Sequence, residues 1–147
     1  MPEPTEEQHP ERLRAVAERV RASTFHEWFG LTLASASDGE CTVEVALAPH
    51  HFNYQGIVHG GVIATLADTA IGLAVRTVLP EGRSHRTIQM NVHYLAKGVG
   101  DRLIGRGRAI HVGRSVAHGE GEVLDANDRV IARATATFAV LPSSVAP

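Results

Sequence analysis

An aspartate and a glycine pair at two points of one apolar stretch are the residues of this chain best suited to chemistry. Asp68 is the only charged residue between Gly60 and Val75. Removing an ionised carboxylate from water costs several kcal/mol, so an isolated one has its pKa raised or finds donors and water in a cleft. Either outcome suits a general base or a nucleophile.

The glycine pair, Gly60 and Gly61, stands where the apolar stretch begins. At the start of a helix the backbone N–H groups lack partners and lie at the positive end of the helix dipole, and without a Cβ a ligand approaches closely. The pair therefore predicts an oxyanion site. Close packing or a tight loop-to-helix turn would also account for two glycines.

The stretch from Val58 to Leu79 must position these groups, and its apolar character on all sides predicts a buried core helix. Its length also meets the minimum for a membrane span, but a central aspartate disfavours insertion. On one helix Gly60 and Asp68 are roughly 12 Å apart along the axis, too far to act on one carbonyl group. We therefore expect Gly60 of one subunit to meet Asp68 of another across a two-fold axis.

The rest of the chain is predicted to be a helix followed by antiparallel strands. Apolar residues at helical spacing from Pro10 to Val20 predict an amphipathic N-terminal helix. Alternation predicts that Met90, Val92 and Tyr94 face one side of a strand and Thr87 the other. The further predicted strands are 41–47, 101–111, 115–124 and 129–140, and the late ones carry glycine and alanine on one face and charges on the other.

These patterns predict an α+β fold in which an antiparallel sheet curls around a long central helix, with an extra N-terminal helix. Residues 10–141 are expected to form the single domain, between a flexible N-terminus at 1–9 and a flexible C-terminal tail at 142–147. On the charged face, a tight turn at 111–114 would put Arg106 opposite Glu120, with Arg133 near that same glutamate.

Composition excludes several classes of function. The net charge of -2 gives no basic field for nucleic acid and no polybasic membrane anchor. Cys41 is the only cysteine, and the start of the chain does not read as a signal peptide, so a cytoplasmic location is expected. The nine histidines have no metal-ligand spacing, and no metal site or serine-hydrolase elbow is predicted.

The segment from the loop into the helix resembles the signature of the hotdog-fold acyl-CoA thioesterases, in the PaaI-like subgroup that includes related human enzymes. The similarity extends through the strand around Thr87 and a later Gly-Arg-Ser turn to about Val140. The residues that carry the signature are Asn53, Gly56, His59, Gly60, Gly61, Leu66, Ala67 and Asp68.

This resemblance implies the hydrolysis of an acyl- or aryl-acyl-CoA, with Asp68 as general base or nucleophile and the Gly60 N–H group polarising the carbonyl. Asn53 would help to hold that carbonyl, Thr87 would orient the attacking water, and His59 would either assist the thiolate or brace the loop. The candidate substrate and coenzyme A contacts are Gly61, Asn91, Tyr94, Gly113, Arg114 and Ser115, and the possible acyl-group walls are Tyr54, Leu73 and Val92.

No cofactor is expected, because coenzyme A is part of the substrate. The resemblance implies a homodimer as the minimum assembly and a homotetramer as a dimer of dimers. Two other readings remain open: a non-catalytic hotdog module that binds acyl-CoA, and a hotdog enoyl-CoA hydratase or dehydratase. An intact Asp68 argues against the binding module.

Overall fold

A computed structural model describes residues 10–143, with side chains from residue 13 onward. The expected flexible N-terminus at 1–9 and most of the expected tail lie outside the described residues. The helices are α1 (Pro10–Ala22), α2 (Thr24–Phe29) and α3 (Gly60–Val78), with one short 3-10 turn at Pro49–His51. The strands are β1 (Leu31–Ser37), β2 (Glu40–Ala46), β3 (Arg83–Tyr94), β4 (Arg102–Val112), β5 (Val116–Asp125) and β6 (Val130–Pro142).

The six strands form one antiparallel sheet in the order β1-β2-β4-β5-β6-β3, and α3 packs against its inner face. The predicted α+β arrangement of a sheet around a long central helix, with an extra N-terminal helix, is confirmed. The sequence pattern did not predict two elements, helix α2 and strand β1. The aromatic segment before Leu31 contains the short helix α2, whose N-cap Ser23 accepts a hydrogen bond from the His26 N–H group, and strand β1 follows it.

The sheet approaches α3 so closely because glycines line the strands beneath it. A Cβ atom at Gly107 would overlap the carbonyl group of Ala70, and one at Gly105 would lie 3.1 Å from the carbonyl oxygen of Leu66. On β5, a Cβ at Gly119 would overlap the side chain of Ile71. The small residues on this face therefore let the backbone of the helix rest directly on the backbone of the strands.

Helix α3 has the length and the hydropathy of a membrane-spanning segment, with a mean hydropathy of 1.4 over its apolar window. Within the protein, 61% of that window is buried. Leu66, Ala70 and Val75 are fully enclosed between the helix and the sheet. This is the environment of the buried core helix that the sequence predicts.

The predicted ion-pair ladder is present on the outer face of the sheet, but its predicted register is wrong. Arg106 pairs with Glu122 at 3.9 Å, and Arg133 approaches the same Glu122 at 3.4 Å. Glu120 instead pairs with Arg108. The shift arises because the β4–β5 turn is wider than a tight two-residue turn, and an irregularity in β4 between Ala109 and His111 reduces the shift by one position.

We predict that Gly107→Ala lowers the free energy of unfolding by about 2 kcal/mol or more, since overpacking a close contact typically costs 1–3 kcal/mol. Chemical denaturation measures the change. Arg106→Ala, the adjacent residue on the outer face, is the matched control and should cost less than about 1 kcal/mol. Equal effects of the two substitutions would contradict the close approach of sheet and helix.

Candidate functional site

Asp68 lies on the side of α3 that faces the edge strand β3, where it is half-buried. The hydroxyl group of Thr87 donates a hydrogen bond of 2.8 Å to Oδ1 of Asp68. No described residue donates a hydrogen bond to Oδ2. The carboxylate therefore has one oxygen held by the protein and one available to a water molecule or a carbonyl carbon.

A β-bulge brings Thr87 to the helix. Thr87 pairs with Phe138 on β6, whereas Gln89 pairs with Thr137, so Ile88 is an extra residue in β3. Strict alternation predicts that Thr87 faces away from Met90, Val92 and Tyr94, and that prediction is wrong. The bulge reverses the alternation, and all four residues face α3.

The cleft around Asp68 has a volume of about 400 Å³. Its walls come from α2, α3, β3 and β6, and Leu73 is the one predicted acyl-group wall that lines it. The other lining residues are His26, Thr69, Gly72, His85, Arg86, Thr87 and Phe138. Of the other predicted walls, Val92 packs against the core, and Tyr54 is 96% exposed on the loop before α3.

At the start of α3, the side chain of His59 caps the helix. Its Nδ1 accepts a 2.8 Å hydrogen bond from the Gly61 N–H group, its carbonyl oxygen accepts from Val62 at 2.9 Å, and its own N–H group donates to the His51 carbonyl oxygen at 2.9 Å. These contacts use three of the four N–H groups that a helix start leaves unpaired. Only the Gly60 N–H group has no hydrogen-bond partner among the described residues.

Tyr94 holds the same end of the helix. Its hydroxyl group donates a 3.1 Å hydrogen bond to the carbonyl oxygen of Gly60, and a Cβ at Gly60 would lie 3.5 Å from its ring. Strand β3 thus contacts α3 at two separate points, Tyr94 at Gly60 and Thr87 at Asp68. Within one chain, Gly60 and Asp68 therefore lie at opposite ends of the contact between β3 and α3, as expected for two residues that are eight positions apart on a helix.

The loop before α3 is organised by Asn53. Its Oδ1 accepts hydrogen bonds from the N–H groups of Gln55, at 2.9 Å, and Ile57, at 3.3 Å. Gly56 closes the turn with a positive φ of 75°, a conformation that favours glycine. The side-chain amide of Asn53 keeps its NH₂ group without a partner among the described residues, so it remains a donor.

His51 connects this loop to α2. Its Nε2–H donates a 2.8 Å hydrogen bond to the Phe29 carbonyl oxygen, and its Nδ1 accepts from the Ala48 N–H group at 2.9 Å. The neutral ring satisfies both partners. Burial lowers the pKa of His51, the nearby His50 lowers it further, and the bond to Phe29 opposes the shift.

The remaining predicted contacts lie elsewhere in the subunit. Asn91 lines a hollow on the outer face of the sheet, so it does not share the cleft of Asp68 within one chain. The Gly113–Ser115 segment forms the β4–β5 turn, where Arg83 donates a 2.9 Å hydrogen bond to the carbonyl oxygen of Arg114. Among residues 13–143, no group of histidine, cysteine and carboxylate side chains is arranged to hold a metal ion.

Sequence reasoning missed His26 and His85, which line the cleft beside Asp68. His85 precedes Thr87 by two residues, so the period of a strand puts both on one face. Gly72 follows Asp68 by four residues, which places it on the same side of the helix. These spacings would have identified His85 and Gly72, whereas nothing in the spacing identifies His26.

The chain is similar in sequence to known thioesterases and esterases. A family model described as the thioesterase superfamily matches residues 55–132. A putative esterase from Halobacterium salinarum is 38% identical over 113 residues, which are 74% of each chain. The medium/long-chain acyl-CoA thioesterase YigI of Escherichia coli is 33% identical over 99 residues, 58% of this chain and 64% of that protein.

Among solved structures, a Bacillus halodurans protein crystallised with CoA aligns with a TM-score of 0.65 at 36% identity. The alignment covers 67% of this chain and 70% of that one. The hotdog fold implied by the sequence resemblance is thereby confirmed.

We predict that stability falls as the pH is lowered through about 6.5, the pKa of an unperturbed histidine. Because the pKa of folded His51 is lowered, the unfolded chain binds more protons below that pH, and the free energy of unfolding decreases. Denaturation at pH 7.5 and 5.5 measures the loss, which for one histidine that stays neutral is at most about 1.4 kcal/mol. His51→Phe should be less stable at pH 7.5 but less sensitive to pH, and an unchanged pH dependence in this variant would contradict the assignment.

Proposed function

The chain belongs to the thioesterase superfamily and is a thioester hydrolase, and we propose that it converts acyl-CoA thioesters to the free acid and CoA with Asp68 as its catalytic carboxylate. The hydrogen bond between Thr87 and Asp68, inside a cleft, is the observation that carries the proposal. The Escherichia coli relative is named for acyl-CoA hydrolysis, and the Bacillus halodurans protein was crystallised with CoA. Both support CoA as the thiol portion of the substrate.

The reaction needs a donor for the carbonyl oxygen and an activated oxygen nucleophile. The Gly60 N–H group, at the positive end of the α3 dipole, stabilises the oxyanion that forms on attack. Asp68 either takes a proton from water as the water oxygen adds to the carbonyl carbon, or adds through its own Oδ2 to form an anhydride that water then cleaves. In both routes the carbon–sulfur bond breaks and the thiolate of CoA leaves.

Thr87 supports either route. Its hydroxyl proton is donated to Oδ1 of Asp68, so the hydroxyl oxygen remains an acceptor for the attacking water. Holding Oδ1 also orients Oδ2 toward the substrate. The side chain thereby contributes to positioning without requiring a charge of its own.

Asn53 and His59 complete the proposed carbonyl and thiol contacts. The free NH₂ group of Asn53 is a second donor for the carbonyl oxygen, while its Oδ1 stabilises the loop. Since Nδ1 of His59 accepts from the Gly61 N–H group, the neutral ring carries its proton on Nε2. That N–H group can donate a hydrogen bond to the departing thiolate, and Gly61 serves the cap rather than the carbonyl.

The site is proposed to form between two subunits. Gly60 and Asp68 are about 12 Å apart along α3, so Gly60 and Asn53 of one chain must serve Asp68 and Thr87 of another. The outer edge of β3 has no strand partner among the described residues, and Ile88 on it is 61% exposed. An unpaired edge of this length favours pairing with a second copy.

Pairing of two β3 edges also determines where the two-fold axis lies. Thr87 contacts Asp68, and Tyr94 contacts Gly60. An antiparallel pair brings Thr87 of one strand near Tyr94 of the other when the axis passes close to Met90 and Asn91. The same two-fold axis brings the Gly60 end of α3 in one subunit toward Asp68 of the other subunit.

The β4–β5 turn is the proposed contact for the phosphate groups of CoA. The guanidinium groups of Arg83 and Arg114 have no acidic partner among the described residues, and Arg83 holds the turn through the Arg114 carbonyl oxygen. Gly113 and Ser115 would provide main-chain and hydroxyl contacts. A homotetrameric assembly and a cytoplasmic location remain part of the proposal.

We predict that Asp68→Asn lowers kcat for acyl-CoA hydrolysis by at least about 100-fold, because removal of a general base or nucleophile typically costs at least that factor. Release of the CoA thiol from short, long and aryl acyl-CoA substrates measures the loss. Substrate binding and the dimer should be retained, which equilibrium binding and sedimentation check. Turnover close to wild type would reject Asp68 as the catalytic group, and binding without turnover by the wild type would favour the acyl-CoA-binding module.

Mixing two inactive variants tests the shared site. In a mixed dimer of Asp68→Asn and Asn53→Ala, one site has lost both groups and the other has both intact. Random exchange of subunits makes about half of the dimers mixed, so we expect recovery of about a quarter of the wild-type rate. Sites contained within single chains would give no recovery after exchange.

A further inference from the structure

The hydroxyl group of Tyr94 makes the only side-chain hydrogen bond to Gly60 among the described residues. It donates to the Gly60 carbonyl oxygen at 3.1 Å, and the ring contacts the same glycine, 3.5 Å from where a Cβ atom would stand. Helix formation does not require this bond, because the first carbonyl group of an α-helix accepts from the N–H group four residues later. The phenol is therefore an additional donor to that carbonyl group.

Tyr94 extends from a firmly held part of the sheet. It is the last residue of β3, and its backbone pairs with Ala132 on β6, which is fully buried. The N–H group of the next residue, Leu95, donates a 2.8 Å hydrogen bond to the Ile131 carbonyl oxygen. Because a tyrosine side chain has only two χ angles, its hydroxyl group then has little freedom of position. One hydrogen bond thus fixes the distance between the end of β3 and the first turn of α3.

The loop before α3 gives the helix start no such attachment to β3. Its hydrogen bonds are internal, through the Oδ1 atom and the backbone of Asn53, or run from the His59 N–H group to the His51 carbonyl oxygen. His51 is in turn bonded to α2 through the Phe29 carbonyl oxygen. Among the described residues, the Tyr94 hydroxyl group alone forms a hydrogen bond between β3 and the start of α3.

This attachment matters for a site shared by two subunits. Thr87 holds Asp68 to β3 of its own chain, and Tyr94 holds Gly60 to β3 of its own chain. With the two β3 strands paired as proposed above, Tyr94 of one subunit lies opposite Thr87 of the other. The carbonyl-polarising group and the carboxylate of each site are then both bonded to the same pair of strands.

We propose, resting on the function above, that Tyr94 is a positioning residue that fixes the Gly60 N–H group relative to the catalytic carboxylate of the second subunit. A donor stabilises the oxyanion only at hydrogen-bond distance from where that oxygen lies in the transition state, so a small displacement of the helix start lowers kcat. A phenylalanine at position 94 keeps the ring against Gly60 but loses the hydrogen bond. The hydroxyl group therefore contributes to the rate and not to the fold.

The first test is the Tyr94→Phe variant. Its kcat for acyl-CoA hydrolysis should fall about tenfold, because one hydrogen bond is lost and the donor to the oxyanion is displaced. The KM should stay within about twofold of wild type, since the lost interaction acts in the transition state. The melting temperature should fall by no more than about 4 °C.

Ser84→Ala is the matched control. It also removes a hydroxyl group on β3 that donates to a carbonyl oxygen, that of Pro142 at 3.4 Å, but at the opposite end of the strand from Tyr94. Its kcat should equal that of the wild type.

Subunit mixing then assigns Tyr94 to one half of the shared site. In a mixed dimer of Tyr94→Phe and Asp68→Asn, one site carries both changes and the other is intact, so random exchange should raise the rate of the mixture about fivefold. In a mixed dimer of Tyr94→Phe and Asn53→Ala, each site carries one change, and exchange should not raise the rate. A general loss of packing would not distinguish the two mixtures.

The outcomes separate this inference from the proposed function. No Asp68-dependent hydrolysis of any acyl-CoA overturns both. If hydrolysis depends on Asp68, a wild-type kcat in Tyr94→Phe, a raised KM with unchanged kcat, or equal behaviour of the two mixtures overturns the role of Tyr94 alone. A Tyr94→Phe chain that does not fold, as judged by circular dichroism, also overturns it, because the hydroxyl group would then serve the fold.

Discussion

The backbone contact between α3 and the glycine-lined strands is the constraint on which the rest of the structure depends. Because Gly107 has no Cβ, the carbonyl group of Ala70 rests on β4, and the rotation of the helix about its own axis is thereby determined. With Ala70 against the sheet, the side of α3 that carries Asp68 and Gly72 turns toward the edge strand β3. A larger residue under the helix would change the orientation of the carboxylate as well as the stability of the core.

The amino-acid pattern predicts those parts of the molecule that depend on local periodicity. The apolar stretch predicts α3, the glycine pair predicts its start, and the alternation of small and charged residues predicts both faces of the late strands. The same reasoning identifies Asp68 as a candidate, because an isolated carboxylate in an apolar stretch needs a partner, whereas Thr87 as that partner follows only from the resemblance to the thioesterase signature. Thr87 supplies a hydroxyl donor to Asp68, as the side chain expected beside that carboxylate would.

What the pattern does not predict are features that arise when strands pair. The bulge at Ile88 is a property of the register between β3 and β6, and no residue type in β3 predicts it. Without the bulge, Thr87 would face away from Asp68. The site therefore depends on a feature that alternation with a period of two does not predict. The error in the Arg106 register has a similar origin, since it follows from the wide turn between β4 and β5, and the irregularity in β4 corrects only one position of it.

The bulge also explains how one edge strand contacts α3 both at its start and near its middle. Tyr94 must face the helix to reach Gly60, and Thr87 must face it to reach Asp68, yet the two residues are seven positions apart, an odd separation. A regular strand puts residues at odd separation on opposite faces, so only an inserted residue between them satisfies both contacts. The extra residue therefore lets a single strand contact α3 at its start, through Tyr94 at Gly60, and near its middle, through Thr87 at Asp68.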